Sequence, residues 1–326
     1  MELLDTKMKI DPEPLKDIDL NENEIYNLTP QKKNCLDKRV LIIIIVFVLI
    51  ISSITTYIFL LPNDNLVVEA EYETSVDNEL VTLVSCNNDF VFEVEVKGIK
   101  QELLNNCQFR AEKSGTHNVV LKFKKIPKME YLFSLVPKLT RINRIKGKPP
   151  TIAYLFYLSL NLKSADLSDL DTSDITNMTS AFKGALNLVN VTFGKKFTTK
   201  NLLSMSHMFN GCVKLSSVKL TNFDTSNVET INNMFENCRE LSSIDLSNFH
   251  TSNLKDMKDL FRNNRRLKYI NMLNFETNHL NISYLDIISG TNNIESICIN
   301  EGNNVQLITS MKKDHKNITI SCPTFY

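Results

Sequence analysis

The sequence predicts an α/β solenoid preceded by one transmembrane helix and a small β-rich domain. Three observations predict it: an unbroken apolar run near the start, alternating apolar segments after it, and a motif that then recurs about every 26 residues.

Residues 1–39 are polar and rich in Asp, Glu, Lys and Asn, with Pro12 and Pro14 breaking any helix, and read as a disordered tail. Within it, Tyr26 in EIYNL has the form of a phosphorylation or sorting signal, and Cys35 that of a juxtamembrane acylation site. Chance occurrence accounts for both more readily. Residues 40–61, VLIIIIVFVLIISSITTYIFLL, form an apolar stretch of about 22 residues. At about 1.5 Å per residue, that stretch as a helix spans a hydrocarbon core of about 30 Å. It is too long and too far along the chain for a secretory signal peptide, and Leu60, Leu61 and Pro62 stand where small cleavage-site residues would be. Lys32, Lys33, Lys38 and Arg39 crowd its N-terminal flank, while Asp64, Glu69, Glu71 and Glu73 follow it. The positive-inside rule therefore places the N-terminus in the cytoplasm and the C-terminus outside the cell.

Residues 62–127 contain VVEAEYE, LVTLV, FVFEVEV and VVLKFK, separated by turn-forming Asp, Asn and Gly. These predict a small antiparallel sheet or sandwich, or else an N-terminal cap for the solenoid. Six of the seven cysteines lie beyond the apolar run, an even number that suits an oxidising compartment. Cys86 with Cys107, and Cys298 with Cys322, each lie within one local unit and are the expected disulfides.

The solenoid is predicted over 128–302, with 303–326 as a C-terminal cap. NFDTSNVETINNMFENCRELSSIDLS starts at Asn222, NFHTSNLKDMKDLFRNNRRLKYINML at Asn248, and NFETNHL at Asn274; looser copies start at Leu170 and Phe197, and YLF triplets at Tyr131 and Tyr154 open partial ones. In this alignment Phe156, Phe182, Phe209, Phe235 and Phe261 share a column that Ile288 continues, so they are core positions. Val228, Ile231, Phe235 and Cys238 fall at i, i+3, i+7 and i+10, which predicts a short helix in each repeat. Thr172, Thr199, Thr225, Thr251 and Thr277 precede these segments as expected helix caps, and Ser226 with Glu229 has the form of a capping box. Leu215, Val218 and Leu220, then Leu241, Ile244 and Leu246, then Leu267, Ile270 and Met272 read as the short strand of a leucine-rich repeat. One such unit cannot bury its apolar face, but six or seven stacked units can. The low glycine count argues mildly against a β-helix, whose tight turns need a residue tolerant of positive φ.

The phrase NFDTSNVETINNMFENCRELSSIDLS resembles the repeat of the BspA-like family of leucine-rich-repeat surface proteins. The likeness covers roughly residues 128–301. It implies a surface-displayed adhesin or contact receptor with no enzymatic activity. Bacterial members carry a lipoprotein signal, in whose place this chain has the apolar run.

A search for chemistry turns up little. The formal net charge of +0 gives no reason to expect nucleic acid as a partner. His117, His207, His250, His279 and His315 are scattered without metal-ligand spacing, and no phosphate-binding or nucleophile motif occurs, so neither an enzyme nor a cofactor is expected. Asp166, Asp169, Asp171 and Asp174 lack the spacing of a calcium loop and read as turn carboxylates. Arg262, Arg265, Arg266 and Lys268 form a basic cluster of the kind that usually decorates a solvated turn. Cys212 and Cys238 share a column with Ala185 and Asn264, which points to buried thiols rather than a bridge.

Sequons occur at Asn177, Asn190, Asn281 and Asn317, with Asn281 and Asn317 the expected glycan acceptors. The expected function is a membrane-anchored cell-surface protein that binds an extracellular protein or glycan, its other partner being the lipid bilayer. The alternative is a signalling receptor whose short tail recruits a partner. Ser217, Lys219, Ser243, Asp245, Tyr269 and Asn271 are the expected binding strip, since they alternate with the buried strand columns along one face.

Overall fold

The structure is a computed structural model, and it describes residues 66–322 except 86–91, 106, 126, 128, 278–281 and 316–317. The apolar run 40–61 lies outside the described residues. Among those described, no helix is long and apolar enough to cross a membrane.

The chain enters through β1 (Val67–Thr74), β2 (Glu79–Thr82), β3 (Phe92–Val96), β4 (Ile99–Gln101), β5 (Gln108–Ala111) and β6 (Gly115–Phe123). Alternation in VVEAEYET places Val68, Ala70 and Tyr72 inward, and all three are buried. β1 pairs antiparallel with β6 on one side and with β7 (Leu139–Lys146) on the other. From β7 the ladder turns parallel through β8 (Ser164–Asp166) to β9 (Asn190–Thr192), giving one sheet in the order β4-β3-β6-β1-β7-β8-β9. The β-rich entry is therefore hydrogen-bonded directly onto the first coils, and their apolar side chains share one core. A second sheet, all parallel, runs β10 (Ser243–Asp245), β11 (Tyr269–Met272), β12 (Ser296–Ile299) and β13 (Thr319–Ile320). The helix α1 (Val305–Asp314) sits between β12 and β13 in the chain. A disulfide joins Cys298 in β12 to Cys322 beyond β13. Cys107 is disulfide-bonded too, while Cys86 lies outside the described residues.

The repeats build a β-solenoid of about seven coils. They do not contain the expected helices. Where the helical spacing suggested one, each coil carries successive three-residue turns with two left-handed positions four residues apart. Asn233 (φ 53°) and Asn237 (φ 61°) flank Phe235; His207 and Gly211 flank Phe209; Asp259 and Asn263 flank Phe261. An α-helix cannot pass through such positions. The backbone bonds go instead to the neighbouring coil: Met205, His207, Phe209 and Gly211 donate to the carbonyls of Thr230, Asn232, Met234 and Glu236. Residues between them close back on themselves, as Met208 donates to Met205 and Asn210 to His207. A run of three-residue turns buries i, i+3, i+7 and i+10 just as a helix does, which is why the spacing misled. Asparagine and aspartate, which tolerate positive φ, fill many of the places that glycine would take.

Three side-chain ladders then tie coil to coil. Phe133, Phe156, Phe182, Phe209, Phe235 and Phe261 stack with centroids 5.2 to 5.9 Å apart and planes within 7 to 21°. The threonine column is buried, and it bridges coils rather than capping helices. Thr225 Oγ1 donates to the His250 carbonyl (3.0 Å) and accepts from the His250 N–H (2.7 Å), and Thr251 repeats this with Glu276. Ser226 and Glu229 make no capping box: the Ser226 N–H donates to Asp224, and Glu229 pairs with Lys255. In a third column Cys212 and Cys238 donate their thiol hydrogens to the carbonyls of Phe182 and Phe209, both at 3.1 Å, and Asn264 and Thr291 do the same to Phe235 and Phe261. Both cysteines are free, and burial pushes their thiols well up from the usual range.

Candidate binding face

The strand side of the solenoid is divided. The turn from Thr192 to Thr199 is one residue longer than its counterpart from Asp166 to Thr172. It carries Phe193 against Phe197 and Phe223 at 4.6 and 5.0 Å. Gly194 within it lies so close to Ser168 that a Cβ would come within 2.4 Å of the Ser168 carbonyl oxygen, so only glycine fits. The next coil, Ser216–Leu220, forms no strand, and among the described residues its backbone makes no ladder with β9. The expected strand at Leu215, Val218 and Leu220 is thus absent, and the two sheets stand on either side of it.

The six strip residues fall accordingly. Ser217 and Lys219 are exposed but lie on this irregular segment. Ser243 and Asp245 are exposed on β10, and Ser243 is in register with Tyr269 on β11. Asn271 is a correction: it is only 8% exposed, and its Oδ1 accepts the Leu273 N–H at 3.2 Å, so it serves the turn after β11 instead of facing outward. Tyr269 is held by Glu295, whose Oε2 accepts the phenol at 2.5 Å while Oε1 accepts Lys268 Nζ at 2.7 Å. These contacts raise the Tyr269 and Lys268 pKa values and hold the Glu295 carboxyl below its ordinary value. Asp245 is also partly committed, its Oδ1 accepting the Ser247 N–H. Ser217, Lys219, Ser243, Asp245 and Tyr269 thus remain exposed on this side, with Lys268 and Glu295 beside Tyr269. Asn281 and Asn317 lie outside the described residues.

Other singled-out groups are absorbed by local structure. Asp166 and Asp171 accept the N–H groups of Ser168 and Ser173, while Asp169 and Asp174 pair with Arg144 and Lys148. In the basic cluster, Arg262, Arg266 and Lys268 pair with Asp259, Glu240 and Glu295. Among the described residues no group of three His, Cys, Asp or Glu side chains is placed to hold a metal ion.

Sequence reasoning missed a concave patch on the first sheet. Arg141, Lys163, Ser164, Asn187, Val189, Asn190 and Lys214 line a groove of about 450 Å³. Strand register assembles it: Arg141, Ser164 and Asn190 lie in one row across β7, β8 and β9, with Lys163 and Val189 one residue before the latter two. The only available signal was the recurrence of Lys and Asn one residue to either side of the leucine column, at Lys163, Asn187 and Lys214.

Residues 151–274 match the family described as "Mycoplasma protein of unknown function, DUF285". Among solved structures, a leucine-rich repeat protein of T. pallidum, TpLRR, is similar at 19% identity, over 49% of this chain and 72% of that one, with a TM-score of 0.30. Comparison with curated proteins finds no match.

Proposed function

We propose, for a chain whose repeat region belongs to the BspA-like family of leucine-rich-repeat surface proteins, that it is a membrane-anchored, non-enzymatic binding protein displayed outside the cell. The observation that carries this is the register of the strand side: coil stacking holds Ser243, Tyr269, Lys268 and Glu295 as outward side chains on a rigid ladder. A repeat framework of this kind presents a wide, preorganised surface. The apolar run 40–61 with its basic flank supports anchoring with the C-terminus outside.

Topology is tested with epitope tags: one after Tyr326 should be labelled on unpermeabilised cells, and one before Met1 only after permeabilisation. The reverse pattern would overturn the surface reading. The strip is tested by attachment of displaying cells to immobilised matrix proteins and glycans. Attachment should be lost in the Lys219→Ala/Asp245→Ala/Tyr269→Ala variant at unchanged melting temperature, and full retention would move the site elsewhere.

A further inference from the structure

We infer that the groove between β7 and the Lys214 coil is a binding site for an acidic saccharide, one bearing sulfate or carboxylate groups. The inference rests on the surface-binding reading but on different side chains. Three cations, Arg141, Lys163 and Lys214, line the groove together with the amides of Asn187 and Asn190 and the Ser164 hydroxyl, and no carboxylate is among the lining residues. Such a set favours anionic groups, with the amides and hydroxyl left to meet neutral sugar hydroxyls.

The cations are not locked. Arg141 Nε meets Glu71 at 3.3 Å and Lys163 meets Glu73 at 3.6 Å, both acids lying on β1, the strand that flanks the groove beside β7. The two basic side chains are 51% and 53% exposed, and surface pairs of this kind contribute little and exchange readily. Lys214 makes no ion pair among the described residues. An anionic ligand can therefore engage all three without breaking a buried contact.

Dimensions point to a chain of sugars rather than a single ion. Arg141 and Lys163 lie at the paired strands β7 and β8, β9 follows, and the Lys214 N–H donates to the Leu186 carbonyl of the β9 coil, so at about 4.8 Å per coil the row extends about 14 Å from β7 to Lys214. Val189 stands in the same groove at 49% exposure, an apolar surface against which a pyranose ring face can lie. An acidic peptide offers carboxylates but no ring face to lie on Val189 and no row of hydroxyls for the amides of Asn187 and Asn190, so poly-glutamate serves as the contrasting probe. The net charge of the whole chain is +0, so any retention on a polyanion must come from a local patch of this kind.

The test uses the full-length chain in neutral detergent, made in bacteria so that Asn190 carries no sugar. Binding is measured to a heparin oligosaccharide, uncharged dextran, poly-glutamate and inorganic sulfate. The oligosaccharide should bind, weakening as salt rises. Lys163→Gln/Lys214→Gln should weaken it about tenfold or more at an unchanged melting temperature. Lys163→Arg/Lys214→Arg should retain binding, as should Lys312→Gln/Lys313→Gln, which removes an exposed basic pair on α1. Unchanged affinity in the first variant would overturn the site. Equal binding of dextran, of poly-glutamate, or of inorganic sulfate at the same molarity would overturn the assigned ligand class. Because the measurement is made in solution, failure of the topology test leaves it intact, and loss of the groove leaves the Lys219, Asp245 and Tyr269 test standing.

Discussion

Phe235→Ala probes the stacking of coils most directly. Phe235 is fully buried, with Phe209 at 5.6 Å on one side and Phe261 at 5.9 Å on the other. Returning its side chain to water on unfolding accounts for about 2 kcal/mol. If roughly half of a side-chain-sized hole of about 100 Å³ stays open, the cavity adds about 1.2 kcal/mol at about 24 cal/mol per Å³. The coils cannot collapse freely into that hole, because the backbone around it is tied both ways: Phe235 N–H donates to Leu260, and its carbonyl accepts from Asn264. Two ring stacks contribute about 1 kcal/mol more, for a total near 4 kcal/mol. With a urea slope of up to about 3 kcal/mol per molar, the unfolding midpoint should fall by at least about 1 M. The Phe209→Ala/Phe235→Ala pair should also deviate from additivity, since the two rings share a contact. A midpoint within about 0.3 M of the parent, or strict additivity of the pair, would refute the ladder.

Four further outcomes are expected. Leu135, 65% exposed at φ 56°, holds a left-handed position that asparagine or glycine fills in later coils, so Leu135→Asn should stabilise by up to about 1 kcal/mol; a loss in a thermal melt would mean that the leucine packs more than its exposure shows. The Cys298–Cys322 disulfide closes a separation of 24 residues, so Cys322→Ser should cost about 3 kcal/mol, read as early loss of amide protection in α1 and β13. Burial, then the charge of Lys183, lowers the His207 pKa, so the fold favours the neutral ring. The stability this confers is present above the ordinary histidine pKa and is lost as pH falls towards the lower folded value; His207→Asn, which suits φ 58°, should flatten that dependence between about pH 7 and 5. Cys212 and Cys238 should resist a thiol reagent in the native protein and react only on unfolding, and prompt labelling at neutral pH would contradict their burial.

Much of the framework was legible in the sequence because it depends on which residues recur. The phenylalanine column, its continuation at Ile288 and the strand columns at Ile244 and Ile270 follow from periodicity alone, and all are buried. The turns were not legible, because hydrophobic spacing reports which side chains point inward and not which carbonyl each N–H reaches. Val228, Ile231, Phe235 and Cys238 satisfy a helix and a chain of three-residue turns equally. The distinguishing signal was there in the residues beside the phenylalanines. Asn233 with Asn237, His207 with Gly211, and Asp259 with Asn263 are poor choices for helix interiors and good ones for positive φ. On the strand side, alternation accounts for the exposure of Ser243, Asp245 and Tyr269, while Asn271 turned in to serve a turn and Lys219 fell on a segment with no partner strand. The basic groove depends on residues from four coils, and their convergence becomes visible only once the strands are in register.

The threonine, phenylalanine and thiol ladders all connect a residue to its counterpart one coil away, as Thr225 reaches His250 just as Thr251 reaches Glu276. No contact in these ladders counts coils from either end. A gene could therefore gain or lose one whole repeat and restore every ladder at the seam, whereas a single inserted residue keeps the ladders only where a turn takes it up, as the Thr172–Thr198 and Phe182–Phe209 contacts survive the longer Thr192–Thr199 turn. The longer Thr192–Thr199 turn shows what such a slip does: glycine absorbs it, and the following coil drops out of the sheet. Variants of this protein should accordingly differ in length chiefly by whole coils, with single-residue changes gathered in turns, as in Thr192–Thr199 and between Thr277 and Ile288.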